Sequence, residues 1–216
     1  MKKSFITLIF IFIWLGVHAN DHKIMDNSYL DDEDYYKSGV KFYDDGDFKK
    51  SFIVFFNLAE KGDPDAIFNI SNMYSEGIGT IQNFSKSLKY TWLCSLNGNK
   101  KCLKKIKDIK NKLDEEEFIK ISKIIPESLE DDFTNKNDKF AAFKLGYWYE
   151  KISPEIDVEK SYLWYSVSVS AGVYKAMKIR DRVSKLIEKK KILDIQQQAN
   201  EIYTKDIYFN KKKGVK

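Results

Sequence analysis

The sequence has few of the residues from which catalytic and metal sites are built. It contains two histidines, His18 and His22, both near the N-terminus, and two cysteines. These numbers exclude a histidine-based triad and a metal site with several imidazoles from the mature chain. The sequence has no glycine-rich phosphate-binding loop, and its carboxylates fall in clusters typical of a solvated helix face. We therefore expect a protein that is not an enzyme, with no catalytic residue, no metal and no cofactor.

Long apolar runs are absent except at the N-terminus. Lys2 and Lys3 precede an apolar run over residues 5–17, and Ala19 supplies a small residue at the expected cleavage position. This layout predicts a signal peptide over residues 1–19, cleaved after Ala19, and hence a periplasmic or secreted protein. The run is shorter than the roughly 20 residues of a membrane-spanning helix, so we expect no stable membrane insertion after cleavage. An uncleaved membrane anchor is the alternative.

A strong excess of one charge is also missing. The whole chain carries a formal net charge of +5, which becomes +3 when Lys2 and Lys3 are removed with the signal peptide. The mature length is 216 minus 19, or 197 residues, enough for one domain with a core. A charge this mild does not indicate nucleic acid as a partner. We expect a monomer that binds another protein or peptide.

Signals for β-strands are weak, and apolar residues recur at spacings of three and four from Tyr35 onward, which predicts an all-α fold. Asp47 and Asp63-Pro64 carry the capping residues of helix starts, and Pro126 is typical of a helix end. The predicted organisation is an acidic flexible leader over residues 20–33, a helical repeat domain over 34–209 with units 34–64, 65–125 and 138–209, a polar connector over 127–137, and a basic tail over 210–216.

Two stretches repeat each other at an offset of 75 falling to 74 residues. Residues 66–74 correspond to 141–149, and residues 83–90 correspond to 157–164; Gly98 corresponds to Gly172. A helical hairpin that repeats in this way cannot bury its apolar face alone and must stack on its neighbours. Stacking produces an extended surface instead of a closed pocket, so the repeat favours a binding protein.

The repeated residues resemble the Sel-one-like repeat family, a relative of the tetratricopeptide repeat. The first copy matches the family pattern at Ala66, Ile70, Tyr74, Gly77, Gly79, Asn83, Lys86, Tyr90 and Gly98. The second matches it at Ala141, Leu145, Gly146, Tyr149, Asp157, Lys160, Trp164, Tyr165, Ala171 and Gly172. The resemblance implies a right-handed α/α solenoid of stacked antiparallel helix hairpins. Ile152-Ser153-Pro154 replaces the Gly-x-Gly loop in the second copy, so that loop must follow a different path.

The resemblance also suggests where a partner binds. In the related tetratricopeptide units the first helix of each hairpin lines a concave face. The corresponding partner-binding positions are Tyr36, Tyr43, Phe68, Asn72, Phe143, Tyr147 and Glu150. Packing in the core is the competing explanation for these residues, and the same pattern assigns Tyr149 to the interior.

The two cysteines, Cys94 and Cys102, each lie four residues from Gly98. In a secreted protein this even number and spacing favour a disulfide between the end of one helix and the start of the next. The same spacing resembles bridges in the cysteine-rich secreted branch of the family. Buried reduced thiols and a redox site are the alternatives.

Three functions remain in competition. The first is a module that binds a protein or peptide through the concave groove, and the second is an immunity or inhibitor protein against a secreted toxin. The third is a protein that binds or hydrolyses cell-wall fragments or β-lactams. The lysine-rich stretch over residues 100–112 is either a solvated face or a docking surface for an acidic partner or anionic lipid.

Overall fold

The structure, a computed structural model, describes residues 31–213, with side chains described through residue 205. These residues form ten α-helices and no strand. The helices are α1 (Asp32–Asp44), α2 (Phe48–Glu60), α3 (Pro64–Glu76), α4 (Phe84–Leu96), α5 (Lys100–Lys110), α6 (Glu115–Thr134), α7 (Lys139–Tyr147), α8 (Val158–Ser170), α9 (Ala176–Val183) and α10 (Lys189–Lys213). A π-helical turn, Trp148–Ile152, follows α7, and a 3-10 turn, Ser184–Leu186, follows α9.

Successive helices pack against each other along the chain. Contacts join α1 to α2, α2 to α3, α3 to α4 and α4 to α5, and then α6 to α7, α7 to α8 and α8 to both α9 and α10. Short turns join most of these pairs, which makes neighbouring helices antiparallel. The predicted all-α solenoid of stacked helix hairpins is confirmed.

Helix α4 lies between two apolar cores. Tyr90 and Cys94 contribute to the first core, which α4 forms mainly with α1–α3. Leu88, Trp92 and Leu96, spaced four residues apart on a different face of α4, contribute to the second core, which α4 forms mainly with α6–α10. Because one helix supplies a face to each core, the two copies of the repeat form one continuous stack.

Side-chain caps fix the helix starts. Asp47 accepts a hydrogen bond from the Lys50 amide, and Asp63 accepts one from the Ala66 amide at 2.7 Å. Asp31 does the same for α1, so residues 31–33 of the predicted flexible leader belong instead to the cap and first turn of a helix. The signal peptide and the rest of the leader, over residues 1–30, lie outside the described residues. At the other end α10 continues past residue 209, and residues 214–216 of the predicted basic tail are likewise outside.

The prediction that Pro126 ends a helix is wrong, as is most of the predicted connector over 127–137. Helix α6 continues through Pro126 to Thr134. A row of buried residues, each four apart, crosses the proline: Ile121, Ile125, Leu129 and Phe133. Burial of a large apolar side chain contributes about 1.5–3 kcal/mol, so the last two together offset the roughly 3 kcal/mol cost of an internal proline. Only residues 135–138 remain between α6 and α7.

Each copy has an equivalent buried hydrogen bond between its two paired helices. The Ser87 hydroxyl donates to the Ser71 carbonyl at 2.8 Å, and the Ser161 hydroxyl donates to the Gly146 carbonyl at 3.0 Å. These serines correspond at an offset of 74 residues, so the repeat seen in the sequence is also a repeat of contacts. The hydroxyl of Ser51, a third serine in such a position, has no hydrogen-bond partner in the part of the chain that the structure describes.

The loops after the first helices of the two copies differ, as predicted. Gly77 ends α3 at a φ of 72°, and Gly79 follows at a φ of 69°, a region that favours glycine. In the second copy the first helix ends in the π-helical turn Trp148–Ile152, which aligns with the last turn of α3, and the loop that follows is residues 153–157. A π turn takes more residues per turn than an α-helix, so it rotates the side chains that follow Tyr147.

Candidate partner-binding surface

A surface pocket of about 240 Å³ lies between α1 and α3, above α2. Its lining combines aromatic rings, carboxamides and one carboxylate: Tyr36, Val40, Tyr43, Phe55, Asn69, Asn72, Met73 and Glu76. Three of the seven predicted partner-binding residues, Tyr36, Tyr43 and Asn72, therefore line the same pocket. Pockets that combine apolar surface with a few fixed polar groups are suited to hold a ligand in one orientation.

The two tyrosines of this pocket differ in how firmly they are held. The Tyr36 ring lies 5.3 Å from the Phe55 ring, and its hydroxyl accepts a hydrogen bond from Asn69 at 3.1 Å. Burial raises the pKa of Tyr36, so the hydroxyl stays protonated and can donate to a ligand. The Tyr43 ring lies 5.1 Å from Phe48 and keeps 38% of its surface exposed. The Tyr36 side chain is thus held in place as part of the pocket lining, whereas the Tyr43 ring has solvent-exposed surface that a partner could contact.

Asn72 connects the pocket to helix α5. Its side-chain carbonyl accepts a hydrogen bond from the Lys105 ammonium, across 33 positions of the chain. Burial lowers the pKa of Lys105 to about 8; the Glu76 charge opposes that shift, and the Lys112 charge adds to it. In the sequence Lys105 belongs to the lysine-rich stretch over residues 100–112, but it lies one helical turn after the buried Cys102 and therefore on the side of α5 that faces the rest of the protein.

A disulfide places α5 against α4. Cys94 and Cys102 are both fully buried, and their sulfurs are bonded with the Cα atoms 6.0 Å apart. This is the pairing that the sequence favoured over reduced thiols. The bond joins the end of α4 to the first turn of α5, and it helps to set the rotation of α5 from which Lys105 reaches Asn72.

The other predicted residues lie outside the α1–α3 pocket. Phe68 is half-buried and packs on the first core. Phe143 and Tyr147, on α7, are half-buried against the second core. The Phe143 ring lies 5.6 Å from Tyr165, and the Lys175 ammonium lies 4.3 Å from the Phe143 ring centroid. We give the name first-helix surface to the solvent-facing parts of six side chains, of which Tyr43 is exposed and the others are half-buried: Tyr36, Tyr43, Phe68, Asn72, Phe143 and Tyr147.

Glu150 does not belong to this surface. It is 7% exposed, and its carboxylate accepts hydrogen bonds from Arg182 at 2.7 Å and from Tyr165 at 3.1 Å. Burial would raise the pKa of Glu150, but hydrogen bonds from Arg182, Lys151 and Tyr165 outweigh it and hold the pKa below its usual range. Glu150 ties the π turn to α8 and α9, so its carboxylate is already used inside the protein.

Tyr149, which the repeat pattern assigns to the interior of the second copy, is less buried than expected. Trp148 is 1% exposed, whereas Tyr149 is only half-buried beneath the Lys160 ammonium, 5.2 Å from its ring centroid. In the first copy the residues at the corresponding positions, Met73 and Tyr74, are both buried. Tyr149, which lies in the π turn, is thus less buried than its counterpart in the first copy.

A second cavity, of about 590 Å³, lies between α6, the π turn and the loop before α8. Its apolar lining includes Pro126, Tyr149 and Ile156, and its rim is charged. The sequence predicted no site here, because the cavity depends on the continuation of α6 and on the π turn. Among residues 31–213, no group of three or more His, Cys, Asp or Glu side chains is placed to hold a metal ion.

No protein-family model matches the chain, and no curated protein matches it. One similar crystal structure is that of a protective antigen present in uropathogenic Escherichia coli strains, which displays an SLR fold. The two chains are 15% identical with a TM-score of 0.35, and the match covers 86% of this chain and 49% of the antigen. The chain thus spans about half the length of that antigen. Between residues 31 and 213 no helix has the length and apolar character needed to cross a membrane.

Proposed function

We propose that this chain is an exported Sel-one-like repeat protein that binds another protein or peptide along the first-helix surface, and that it is not an enzyme. The observation that carries the proposal is the pocket between α1 and α3, which collects Tyr36, Tyr43 and Asn72 on one open face. Tyr36 and Tyr43 lie on α1 and Asn72 lies on α3, and the packing of both helices against α2 brings the three residues together.

The chemistry of the pocket suits a peptide. Carboxamides such as Asn72 both donate and accept hydrogen bonds, as a peptide backbone does. Tyrosine adds a large apolar area with a hydroxyl at its tip and loses little entropy when it binds, so it is common at recognition sites. The exposed ring of Tyr43 and the fixed hydroxyl of Tyr36 therefore supply both the apolar and the polar contacts that an extended segment requires.

Export is supported by the disulfide. Bridges such as Cys94–Cys102 persist in oxidising compartments and are rare in the reducing cytosol. This agrees with the signal peptide predicted over residues 1–19. Intact-mass measurement of chain recovered from the periplasm or the medium should show the loss of those residues. A chain recovered only with membranes and at full mass would contradict export as a cleaved protein.

Peptide binding can be tested with a random-peptide phage library panned against the purified chain. We expect enriched peptides whose affinity falls about tenfold or more in Tyr43→Ala and Asn72→Ala, since truncating a central contact costs roughly 1–2 kcal/mol or more. Leu193→Ala is the matched control, because Leu193 is 72% exposed on α10, away from the first-helix surface. The proposal fails if no peptide is enriched, or if the enriched peptides bind all variants equally.

A further inference from the structure

Helices α5 and α9 occupy equivalent places in the two copies and carry the same exposed pattern. After Gly98 the chain reads Lys101-Cys102-Leu103-Lys104, and 74 residues later, after Gly172, it reads Lys175-Ala176-Met177-Lys178. Cys102 and Ala176 are fully buried. Because these residues point into the core, the lysines and the apolar residue around them are turned toward solvent in both copies. We call these two segments the basic steps.

The lysines of the basic steps are unpaired among the residues that the structure describes. None of Lys101, Lys104, Lys175 and Lys178 forms an ion pair with any residue that the structure describes. The apolar residue of each step is also exposed, 38% for Leu103 and 42% for Met177. The same pattern of two cations and one apolar side chain is therefore presented twice, one repeat apart.

Each basic step adjoins the first-helix surface. In the first copy Lys105, next to the step, donates a hydrogen bond to Asn72. In the second copy the Lys175 ammonium lies above Phe143, 4.3 Å from the ring centroid, and also 5.4 Å from that of Phe140. A peptide held on the first-helix surface would therefore pass beside the lysines of both copies. Carboxylates also lie near this surface: the Glu76 charge acts on Lys105, and the Asp65 and Asp63 charges act on Tyr36.

We infer that the partner is an acidic protein segment, with carboxylates opposite the basic steps and apolar side chains against Leu103 and Met177. The inference rests on the proposed function and names the class of partner. Exposed ion pairs are individually weak, so the lysines would act mainly by raising the association rate and by rejecting basic and neutral segments. The aromatic rings and amides of the first-helix surface would supply most of the affinity.

The geometry favours a protein over an anionic membrane. A helix that lies on a bilayer needs a broad apolar face, but Ile106 and Ile109 of α5 pack against the core and leave Leu103 as the exposed apolar side chain. One partly exposed residue per step is too little for insertion, whereas it matches a single side chain of a bound segment.

The test uses a fluorescent peptide in which pairs of Asp and Glu alternate with Leu, and a neutral version with Asn and Gln. We expect the acidic peptide to bind more tightly, and its affinity to fall about tenfold in Lys101→Glu/Lys175→Glu. A second pair, Lys104→Glu/Lys178→Glu, repeats the test if the first is unstable. The control pair, Lys49→Glu/Lys189→Glu, makes the same charge change on exposed positions of α2 and α10 and should change the affinity less than about twofold.

The outcomes are distinguishable. Equal binding of the acidic and neutral peptides, or an equal loss in the control pair, overturns the inference. If library peptides depend on Tyr43 and Asn72 but are not acidic, the proposed function stands and the inference fails. If no peptide binds at all, both fail. Binding of wild-type chain to phosphatidylglycerol vesicles, lost in Lys101→Glu/Lys175→Glu without any peptide binding, would assign the basic steps to lipid and overturn the inference.

Discussion

Replacing Gly79 with alanine is expected to destabilise the chain more than replacing Gly98. Both glycines have a positive φ, 69° at Gly79 and 91° at Gly98. A Cβ at Gly79 would overlap the backbone carbonyl of Phe48 and lie 3.1 Å from the terminal methyl of Met73. A Cβ at Gly98 would meet nothing within 4 Å. The pair therefore separates the cost of the backbone conformation from the cost of the close approach.

The expected magnitudes follow from these two costs. Alanine in the left-handed region costs about 1–2 kcal/mol, and this applies to both variants. At Gly79 the first residue of α2 must also move away, and such overpacking adds about 1–3 kcal/mol. The free energy of unfolding should fall by about 2–5 kcal/mol in Gly79→Ala and by about 1–2 kcal/mol in Gly98→Ala.

Urea unfolding followed by far-UV circular dichroism measures both values under one condition. Gly172→Ala serves as a second control, since Gly172 has a φ of 91° and open space around it. Equal losses in all three variants would show that the loop after α3 does not approach α2 as the structure places it. A larger loss in Gly98→Ala than in Gly79→Ala would refute the reasoning altogether.

Three further predictions concern stability. Replacing Cys94 and Cys102 together with alanine should lower the free energy of unfolding by about 2–3 kcal/mol, and non-reducing peptide mapping of the wild type should recover the cross-linked pair; free thiols after oxidation would contradict the bridge. Glu150→Gln should cost about 1–3 kcal/mol at pH 7. Because the folded pKa of Glu150 is depressed, this contribution is present above its unfolded pKa of about 4.3 and is lost as the pH falls through the folded value; a Gln variant with an unchanged pH profile of stability would refute it. Pro126→Ala should raise the free energy of unfolding by about 1–3 kcal/mol by restoring a helix hydrogen bond; a lower free energy of unfolding in urea would contradict this.

The parts of the fold that the sequence predicted correctly depend on interactions between residues close together in the chain. Asp47 and Asp63-Pro64 marked helix starts because a side-chain cap and a fixed φ act within a few residues. Pro126 misled for the opposite reason: the burial of Phe133, seven residues later, is a tertiary term that outweighs the local cost. The row of apolar residues four apart was the available signal for a continuous helix.

One of the seven predicted partner-binding residues, Glu150, lies in the π turn, which no local pattern in the sequence predicted. Carrying positions from the first copy to the second assumes equal helical phase, and the phase is equal up to Tyr147. Within the turn Tyr149 is less buried than its counterpart Tyr74, and Glu150, at the buried position of Ser75, is bound by Arg182 inside the protein. The positions before the turn, Phe143 and Tyr147, keep their predicted place on α7, where they are half-buried.

The two copies therefore have the same arrangement of helices but different side chains at corresponding surface positions. In the first copy Lys105 of α5 reaches Asn72, and the pocket there contains carboxamides and hydroxyls. The corresponding residue of α9 is Ile179, which packs on the second core and leaves Phe143 to the Lys175 ammonium. A segment that spans both copies would meet hydrogen-bonding groups at one end and aromatic rings at the other. Because these ends are not interchangeable, a peptide bound along the proposed surface would have a preferred direction.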